Sequence, residues 1–298
     1  MHTVLLFYKY VDINDPVTLC DIQKTLCKKL GLKGRMIIAH EGINATFEGT
    51  DEAIEEYCSE LVKDTRFADV HFKKSTGTGK AFRKLSIKVR DEIVSGHLGE
   101  IDVNPQEVTG KYISAEELHD WIGAKREFYI VDMRNDYEQK SGYFTGSILP
   151  EMGNFRDLPK VLPKLAHLKN KTIVTVCTGG VRCEKASGFL VKNGFTDVYQ
   201  LHGGIVTYME KYPNQDYKGK LYVFDNRLVM GFNTDDPSHE IVGKCANCGK
   251  TSENYVNCIN DICHRHFIAC GDCVNENNQM YCPMGCRDSK GSDIVISA

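Results

Sequence analysis

The residue best placed for covalent chemistry is a cysteine that follows a short apolar segment. Residues 172–176 are β-branched and have the pattern of a buried strand, which ends directly at Cys177. Four residues containing two glycines follow, and Arg182 then opens an amphipathic helix that ends near Gly194. Backbone N–H groups converge where a strand, a glycine turn and a helix N-terminus meet, and they stabilise an anion. We therefore expect the pKa of Cys177 to be lowered and its thiolate to be nucleophilic.

A second set of chemical groups lies near the end of the chain, where eight of the 13 cysteines form four closely spaced pairs. Eight thiolates are enough for two tetrahedral zinc sites, in which the first pair would join the third and the second would join the fourth. Such zinc would be structural. Disulfides and free thiols remain the alternatives. The eight residues are Cys245, Cys248, Cys258, Cys263, Cys270, Cys273, Cys282 and Cys286.

A third set is a basic window between Lys63 and Arg90, where basic residues far outnumber acidic ones and aromatic residues are interleaved. Two interpretations remain open. The window either contacts the phosphates of a nucleic acid while its aromatic rings stack on bases, or it forms the solvated edge of a sheet. The candidate substrate-binding residues are Lys73, Lys74, Arg83, Lys84, Lys88 and Arg90.

The patterns around these groups divide the chain into four parts. Residues 1–92 show the order β-α-β-β-α-β, which predicts a ferredoxin-like α+β domain, here called the N-terminal domain. Residues 93–113 are rich in glycine and turn residues and are interpreted as a linker. In residues 114–219 strands alternate with helices, which predicts a parallel α/β sheet. Residues 220–298 form a small Cys-rich segment with a possible zinc module.

In a parallel α/β sheet, ligands bind beyond the C-terminal ends of the strands. Asp132, Arg134 and Cys177 all stand at such strand ends. The strand pattern therefore places them at one site without reference to any motif.

The composition limits the class of protein. A formal net charge of -3 implies no protein-wide field for polyanions, and 42% hydrophobic residues are ordinary for a globular chain. No apolar run approaches the roughly 18 residues of a membrane span, and the first residues lack a signal-peptide pattern. We therefore expect a cytoplasmic protein with no membrane partner. Nothing in the sequence predicts a protein partner, and the absence of a dinucleotide-binding glycine motif predicts no nucleotide cofactor.

Residues 114–215 resemble a rhodanese domain, which carries sulfur as a persulfide on its loop cysteine. The loop length separates this resemblance from phosphatases of the cell-division-cycle type, which share the architecture but use Cys-x5-Arg. Here Arg182 follows Cys177 as Cys-x4-Arg, a shorter loop that is sized for sulfur and argues against a phosphatase. The matching pieces are 131–134, 137–138, 142–148, 177–182 and 201–205.

Nearly the whole chain resembles the tRNA uridine-34 hydroxylase family. The matching segments are 7–10, 39–45, 88–91, 132–135, 177–187 and the Cys-rich segment. The resemblance implies that the protein makes 5-hydroxyuridine at the wobble position of tRNA, with molecular oxygen as co-substrate and the anticodon arm of tRNA as partner. It does not identify the electron donor.

Within this resemblance, Cys177 is the first choice for the nucleophile. Cys183, in the first turn of the following helix, either resolves a persulfide on Cys177, carries the intermediate itself or packs the helix. Rhodaneses usually have a residue without a thiol there. Arg182 either stabilises a thiolate, persulfide or phosphate, or forms a salt bridge to Asp132 or Glu138.

The remaining candidates are expected to support the loop or the substrate. Asp132 and Arg134, with Gly179 and Gly180, are interpreted as loop-stabilising residues. His40 either contacts the base or provides polarity in a hairpin turn, and the second interpretation is preferred.

Three functions follow, in order of preference. In the first, the basic face of the N-terminal domain holds the anticodon arm, and the thiolate of Cys177 adds to the uracil ring beside the carbon that becomes hydroxylated. In the second, the protein is a sulfurtransferase that carries a cysteine persulfide. In the third, it is a non-catalytic RNA-binding or redox-sensing adaptor.

Overall fold

The computed structural model describes residues 1–98, 103–260, 262–263, 265–283 and 286. Part of the predicted linker and the last residues of the Cys-rich segment lie outside these ranges. Within the described residues, no helix has the length and apolarity needed to cross a membrane.

The N-terminal domain is a five-stranded sheet with two helices, in the strand order β4-β1-β3-β2-β5. Strands β4, β1, β3 and β2 are antiparallel, as in a ferredoxin-like fold, and β5 adds a parallel edge strand beside β2. The elements are β1 (His2–Tyr10), α1 (Pro16–Lys29), β2 (Lys33–Ala39), β3 (Gly42–Thr50), α2 (Asp51–Leu61), β4 (Lys73–Thr76) and β5 (Leu85–Val89).

Local sequence explains where α1 begins, and the alternation of side chains along β1 explains which face of the sheet the helices cover. Asp15 caps α1 by accepting hydrogen bonds from two backbone N–H groups, and Pro16 opens the helix with its φ already fixed. Leu5 and Phe7 of β1 lie in the core beneath the helices. Because successive side chains of a strand point to opposite faces, Leu6 and Tyr8 lie on the other face, towards the second domain.

The second domain is a four-stranded parallel sheet in the order β6-β10-β9-β7, with an apolar core on each face. Its elements are β6 (Lys111–Ile113), α3 (Ala115–Gly123), β7 (Tyr129–Asp132), α4 (Asp136–Gln139), β8 (Gly142–Phe144), α5 (Leu158–Leu165), β9 (Thr172–Val176), α6 (Val181–Lys192), β10 (Asp197–Leu201) and α7 (Gly204–Lys211). The mixed α/β class expected from the sequence is confirmed.

Two details differ from the sequence pattern. The sequence pattern places residues 111–113 in the linker, whereas in the structure they form the edge strand β6 beside β10. Two of these three residues are exposed, so they show no buried-strand pattern. Residues 155–168 form a 3-10 turn, α5 and a second 3-10 turn in place of one continuous helix, and α5 contains Pro163. Proline cannot donate the hydrogen bond that a continuous helix requires.

After α7, the described residues form only short strands. They are β11 (Tyr217–Gly219), β12 (Leu221–Tyr222), β13 (Val229–Met230), β14 (Tyr255–Asn257) and β15 (His266–Ile268). Strand β11 pairs with β8 of the second domain, whereas β12 pairs with β13 and β14 with β15. The core around β14 and β15 consists largely of cysteines, so this part buries little other apolar surface.

Helix α6 joins the first two domains through a buried cation. The Nζ atom of Lys185 lies 2.8 Å from Oε2 of Glu41 and 2.7 Å from Oε1 of Glu92, and the Lys185 side chain is only 3% exposed. A buried ammonium is tolerated when carboxylates compensate its charge, and removing either partner is then costly. The contact fixes the N-terminal domain over the start of α6, which directly follows Cys177 and its loop.

Candidate functional site

Cys177 is completely buried at the end of β9, and its sulfur contacts the backbone of the loop that follows. Gly180 has φ +102°, a left-handed value that favours glycine, and its N–H donates to Sγ of Cys177 at 3.3 Å. The carbonyl of Cys177 accepts from the N–H of Ile205 at 2.9 Å, which ties the cysteine to α7. The sulfur therefore faces the N–H groups at the start of α6.

The surroundings of Cys177 favour its ionised form. Burial opposes ionisation, but the neighbouring thiol of Cys183, the charge of Arg182 and the N–H groups of Cys183 and Gly180 outweigh it and lower the pKa of Cys177 to about 6. Cys183 is affected in the opposite direction, because burial and the adjacent Cys177 raise its pKa. The two thiols are therefore unequal, and Cys177 is the one that ionises near neutral pH.

Arg182 contributes its charge from within an ion pair. Its Nη1 and Nη2 atoms donate to the two carboxylate oxygens of Glu138 at 2.5 and 2.8 Å. This bidentate geometry holds the guanidinium in place. Of the two partners that the sequence offered for Arg182, the structure selects Glu138. Asp132 is engaged elsewhere.

Asp132 and Arg134 form a buried pair beside the loop. Arg134 Nη2 lies 2.6 Å from Oδ2 of Asp132, and it also donates to the carbonyl of Gly142 at 2.7 Å. Arg134 Nη1 donates to the hydroxyl of Tyr217 at 3.1 Å. These contacts connect the end of β7 with β8 and β11, so the two side chains support the fold beside the loop.

The N-terminal domain closes over the loop glycines. A Cβ atom on Gly179 would lie 2.7 Å from Cδ2 of Leu6, and one on Gly180 would lie 2.8 Å from the hydroxyl oxygen of Tyr8. Any larger residue at these two positions would therefore collide with β1. The two glycines permit close contact between the domains as well as the shape of the loop.

A cavity of about 360 Å³ lies between the N-terminal sheet and the Cys177 loop. This volume is in the range of sites that hold small organic molecules. Cys177 and Arg182 line one side, and Arg35 and Asn44 of the N-terminal sheet line the other. Oδ1 of Asn135, at the wall, is buried and accepts no hydrogen bond from the described residues.

Sequence reasoning missed several residues that line this cavity. Phe155 and Phe224 provide aromatic surface, and Phe224 is 44% exposed. Arg35 and Arg156 provide positive charge. A charged residue at the start of the apolar run 35–39 is a signal for Arg35, whereas Phe224 lies in a segment with no periodic pattern.

The basic window does not form one surface. Arg83, Lys84, Lys88 and Arg90 are exposed. Lys88 pairs in register with Ile37, a cavity-lining residue, so Lys88 lies on the same face of the sheet as the cavity. Lys74 is exposed and forms an ion pair with Glu55.

Lys73 departs from its sequence interpretation, whereas His40 agrees with the one that was preferred. Lys73 is buried, and its Nζ atom lies 4.8 Å from the centre of the Tyr8 ring. It is therefore not on the exposed basic surface expected from the sequence. His40 is exposed in the hairpin turn, where Nδ1 lies 2.9 Å from the carbonyl oxygen of Ile13. This contact agrees with the turn interpretation.

The eight tail cysteines form two groups of four, and within each group the sulfur atoms all lie within 4.8 Å of one another. The first group joins the first and third pairs, and the second joins the second and fourth pairs, which is the cross-paired arrangement. Sulfur separations of 3.5 Å for Cys248 and Cys270 and 3.8 Å for Cys263 and Cys282 fit a tetrahedron with metal–sulfur bonds of about 2.3 Å. The segment could therefore bind two metal ions.

Comparisons with known proteins agree with this three-part architecture. Residues 2–93 match the UPF0176 acylphosphatase like domain, 114–211 match the Rhodanese-like domain, and 218–287 match the family described as Rhodanase C-terminal. The fold and the Cys177 loop thus define a protein built around a rhodanese domain.

Relatives along almost the full length narrow the assignment. The chain is 44% identical to the tRNA uridine(34) hydroxylase of Bacillus licheniformis, with 96% of this chain and 88% of the relative covered. It is 40% identical to the protein of that name from Cytophaga hutchinsonii (96% and 90% covered) and 43% identical to that from Listeria monocytogenes (96% and 89% covered). The chain belongs to the tRNA uridine(34) hydroxylase family, as the sequence motifs indicated.

Proposed function

We propose that this protein hydroxylates the wobble uridine of tRNA and that the thiolate of Cys177 activates the base. The observation that supports this most directly is an ionisable thiol facing a cavity to which both domains contribute. A site for a small sulfur anion needs only the rhodanese loop. The additional wall from the N-terminal domain makes a cavity of about 360 Å³, which is large enough for a nucleobase.

The base would enter as an extruded nucleotide. The wobble nucleotide lies in a single-stranded loop, so turning it out of the stack costs little compared with a paired base. Phe224 and Phe155 offer faces on which a pyrimidine can stack.

The proposed reaction is an addition followed by oxidation and elimination. The Cys177 thiolate adds to C6 of uracil, and the electron pair of the C5=C6 bond moves onto C5 and O4 as an enolate. C5 then reacts with molecular oxygen. A thiol reductant supplies two electrons, so that one oxygen atom stays on C5 as hydroxyl and the other leaves as water, with two protons consumed overall. Loss of the C5 proton expels Cys177 and restores the double bond.

Basic residues at the rim would hold the backbone of the anticodon arm. Arg35 and Arg156 line the cavity, and Lys88 lies on the same side of the sheet. Phosphate contacts of this kind position the nucleic acid, whereas contacts inside the cavity select the base. A tRNA substrate supports our proposal that the protein acts in the cytoplasm.

We propose zinc as the metal of the two cysteine groups. Four thiolates at each site leave no open position for a substrate, so the metal would be structural. Its contribution would be to hold together a segment that buries few other apolar residues. No step of the reaction uses it.

The test compares Cys177→Ser with Cys183→Ser in a strain that lacks the protein. Cys177→Ser is expected to abolish 5-hydroxyuridine in tRNA, measured by nucleoside mass spectrometry, while the purified variant still binds tRNA. Cys183→Ser is expected to retain part of the activity, because its thiol stays protonated. Normal modification by Cys177→Ser would contradict the proposal.

A sulfurtransferase is the second candidate, and the rhodanese-type length of the loop from Cys177 to Arg182 favours it. It predicts turnover of thiosulfate with cyanide by the purified protein and a persulfide on Cys177 detectable by mass spectrometry. The hydroxylase proposal predicts that the modified nucleoside is lost with Cys177→Ser whether or not thiosulfate is turned over.

A further inference from the structure

Lys73 is a buried lysine to which the proposed reaction assigns no role. It lies on β4, is 6% exposed and faces the second domain, whereas its neighbour Lys74 points the other way and is paired with Glu55. Among the described residues, Nζ of Lys73 has no hydrogen bond and no carboxylate partner. Its one polar interaction there is a cation–π contact with the ring of Tyr8. An ammonium buried without a counter-ion is unfavourable, and such groups are rare in protein cores.

The position of Lys73 places it behind the Cys177 loop. Lys73 pairs in register with Leu6 across β1, and its Nζ atom lies 4.8 Å from the centre of the Tyr8 ring. Leu6 and Tyr8 are the two side chains that cover Gly179 and Gly180. One layer of side chains therefore separates the lysine from the loop.

Among the described residues, two potential anions and two imidazoles lie near Lys73. The thiolate of Cys177 and the carboxylate of Glu184 on α6 both favour the protonated lysine, although burial is the larger effect and lowers the pKa of Lys73 to about 8. Its nearby imidazoles are His71, before β4, and His202, after β10. Burial and the charge of Lys73 lower the pKa of His71 to about 4 and also lower that of His202, so both are neutral near pH 7.

This leaves Lys73 as a positive charge without its own ion pair close to the loop. Arg182 is also close, but both of its terminal nitrogens are engaged by Glu138. Glu184 accepts hydrogen bonds from Tyr8 and Tyr112 and has no cation within ion-pair distance among the described residues. An ammonium on one side of this layer and two potential anions on the other attract each other across the low-dielectric interface.

We propose that Lys73 is a positioning residue that stabilises the thiolate of Cys177 from across the domain interface. The N-terminal domain then does more than bind tRNA, because its charge completes the electrostatics of the rhodanese loop. The inference rests on the proposed function in so far as Cys177 is the reactive thiol there. It concerns the free protein and does not require that hydroxylation occurs.

The experiment measures alkylation of Cys177 by iodoacetamide from about pH 5 to about pH 9, a range that brackets the titration of a cysteine with a lowered pKa. Trypsin cleaves after Arg182, so Cys177 and Cys183 fall in different peptides and mass spectrometry follows each separately. Lys73→Met removes the charge and keeps most of the volume, and Lys73→Arg keeps the charge. Lys74→Met is the matched control on the opposite face of the same strand.

Lys73→Met is expected to raise the alkylation midpoint by about one pH unit and to slow the reaction about fivefold at a pH near 6, the scale expected for loss of a nearby opposite charge. Lys73→Arg should recover most of the rate, and Lys74→Met should match the wild type. A role in packing alone would leave the midpoint of Lys73→Met unchanged, and that result overturns the proposal. If Lys73→Met shows no thermal unfolding transition, Lys73→Gln is used for the same measurement.

The outcome is separable from that of the proposed function. A shifted midpoint with no hydroxylase activity in the wild type would leave the role of Lys73 standing and remove the proposed reaction. An unshifted midpoint for Lys73→Met, together with hydroxylase activity in the wild type, would remove the role of Lys73 and leave the proposed reaction standing.

Discussion

The hydroxyl of Tyr8, on the first strand of the N-terminal domain, donates a 2.9 Å hydrogen bond to Oε1 of Glu184 on the helix that follows the reactive loop. Glu184 is 5% exposed and also accepts hydrogen bonds from Tyr112 and Gln200. Its buried carboxylate is therefore stabilised by hydrogen bonds from neutral donors. Since buried carboxylates are costly when donors are missing, this contact couples the stability of the domain interface to the site.

Removal of this donor gives the first prediction. Tyr8→Phe should lower the free energy of unfolding by about 1–3 kcal/mol, because a buried acceptor then loses a partner. Urea denaturation followed by circular dichroism measures the change. Tyr143→Phe is the control, since the Tyr143 hydroxyl has no hydrogen bond to any described residue. Equal midpoints for the two variants would show that the Tyr8 contact adds nothing.

The second prediction concerns the left-handed glycine of the loop. Gly180→Ala should reduce Cys177 alkylation and uridine hydroxylation strongly, because the new Cβ meets the Tyr8 hydroxyl at 2.8 Å in addition to the strain of φ +102°. Gly146→Ala is a matched control. Gly146 has φ +75° with nothing within 4 Å of the added Cβ, so it carries the strain without the collision. We expect Gly146→Ala to lower stability by about 1 kcal/mol and to keep its activity.

The third prediction is a pH dependence of stability. The pKa of Cys177 is about 6 in the folded protein, and that of a cysteine in an unfolded chain is about 8.5. Because the folded value is lower, the ionised thiol stabilises the fold fully above the unfolded pKa, and this contribution is lost as the pH falls towards about 6.

Denaturation of the wild type and of Cys177→Ser near pH 6 and near pH 9 measures this contribution. The difference in unfolding free energy between the two proteins should be larger at the higher pH. A difference that stays constant with pH would mean that Cys177 has the same pKa in the folded and the unfolded protein.

The fourth prediction concerns metal content. The purified protein should contain two zinc ions per chain, measured by elemental analysis, because two separate groups of four sulfurs are present. Cys248→Ser and Cys263→Ser should each lose about one ion, since each removes a ligand from a different site. Cys58→Ser, at a buried thiol of the N-terminal domain, is the control and should retain both ions. Full zinc content in both ligand variants would contradict the assignment.

The fifth prediction concerns the rim of the cavity. Arg35→Gln and Lys88→Gln should each weaken tRNA binding and reduce the dependence of the binding constant on salt by about one phosphate contact. Filter binding at several salt concentrations measures both effects. Lys171→Gln is the control, because Lys171 stands before the first residue of β9, at the end of the strand opposite Cys177. Equal losses for all three variants would indicate only a general effect of charge.

The sequence was informative where the residue pattern repeats locally. Strand β9 has the bounds expected from its apolar run, and Cys177 lies in the expected strand–loop–helix unit. The spacing of the tail cysteines also indicated how the pairs combine. These features depend on residues that are close in the chain or on a chemistry that tolerates few alternatives.

Features created by packing between domains could not be read in the same way. Lys73 has the same local pattern as Lys74, and only the placement of the second domain makes one buried and the other exposed. The cavity has walls from β1, β2 and the segment around Phe224, which are far apart in the sequence. Long-range contacts of this kind leave no periodic signal in a single chain.

Strand β6 has a practical consequence for dissecting the protein. A recombinant fragment beginning at residue 114 would match the rhodanese pattern but would leave β10 as an open sheet edge, and exposed edges invite pairing between molecules. It would also lack the Thr109 hydroxyl and the Gly110 N–H, both of which lie within hydrogen-bond distance of Ser187 on α6. Aggregation of such a fragment would therefore result from its missing edge strand. A fragment starting before Thr109 is the better choice for expression.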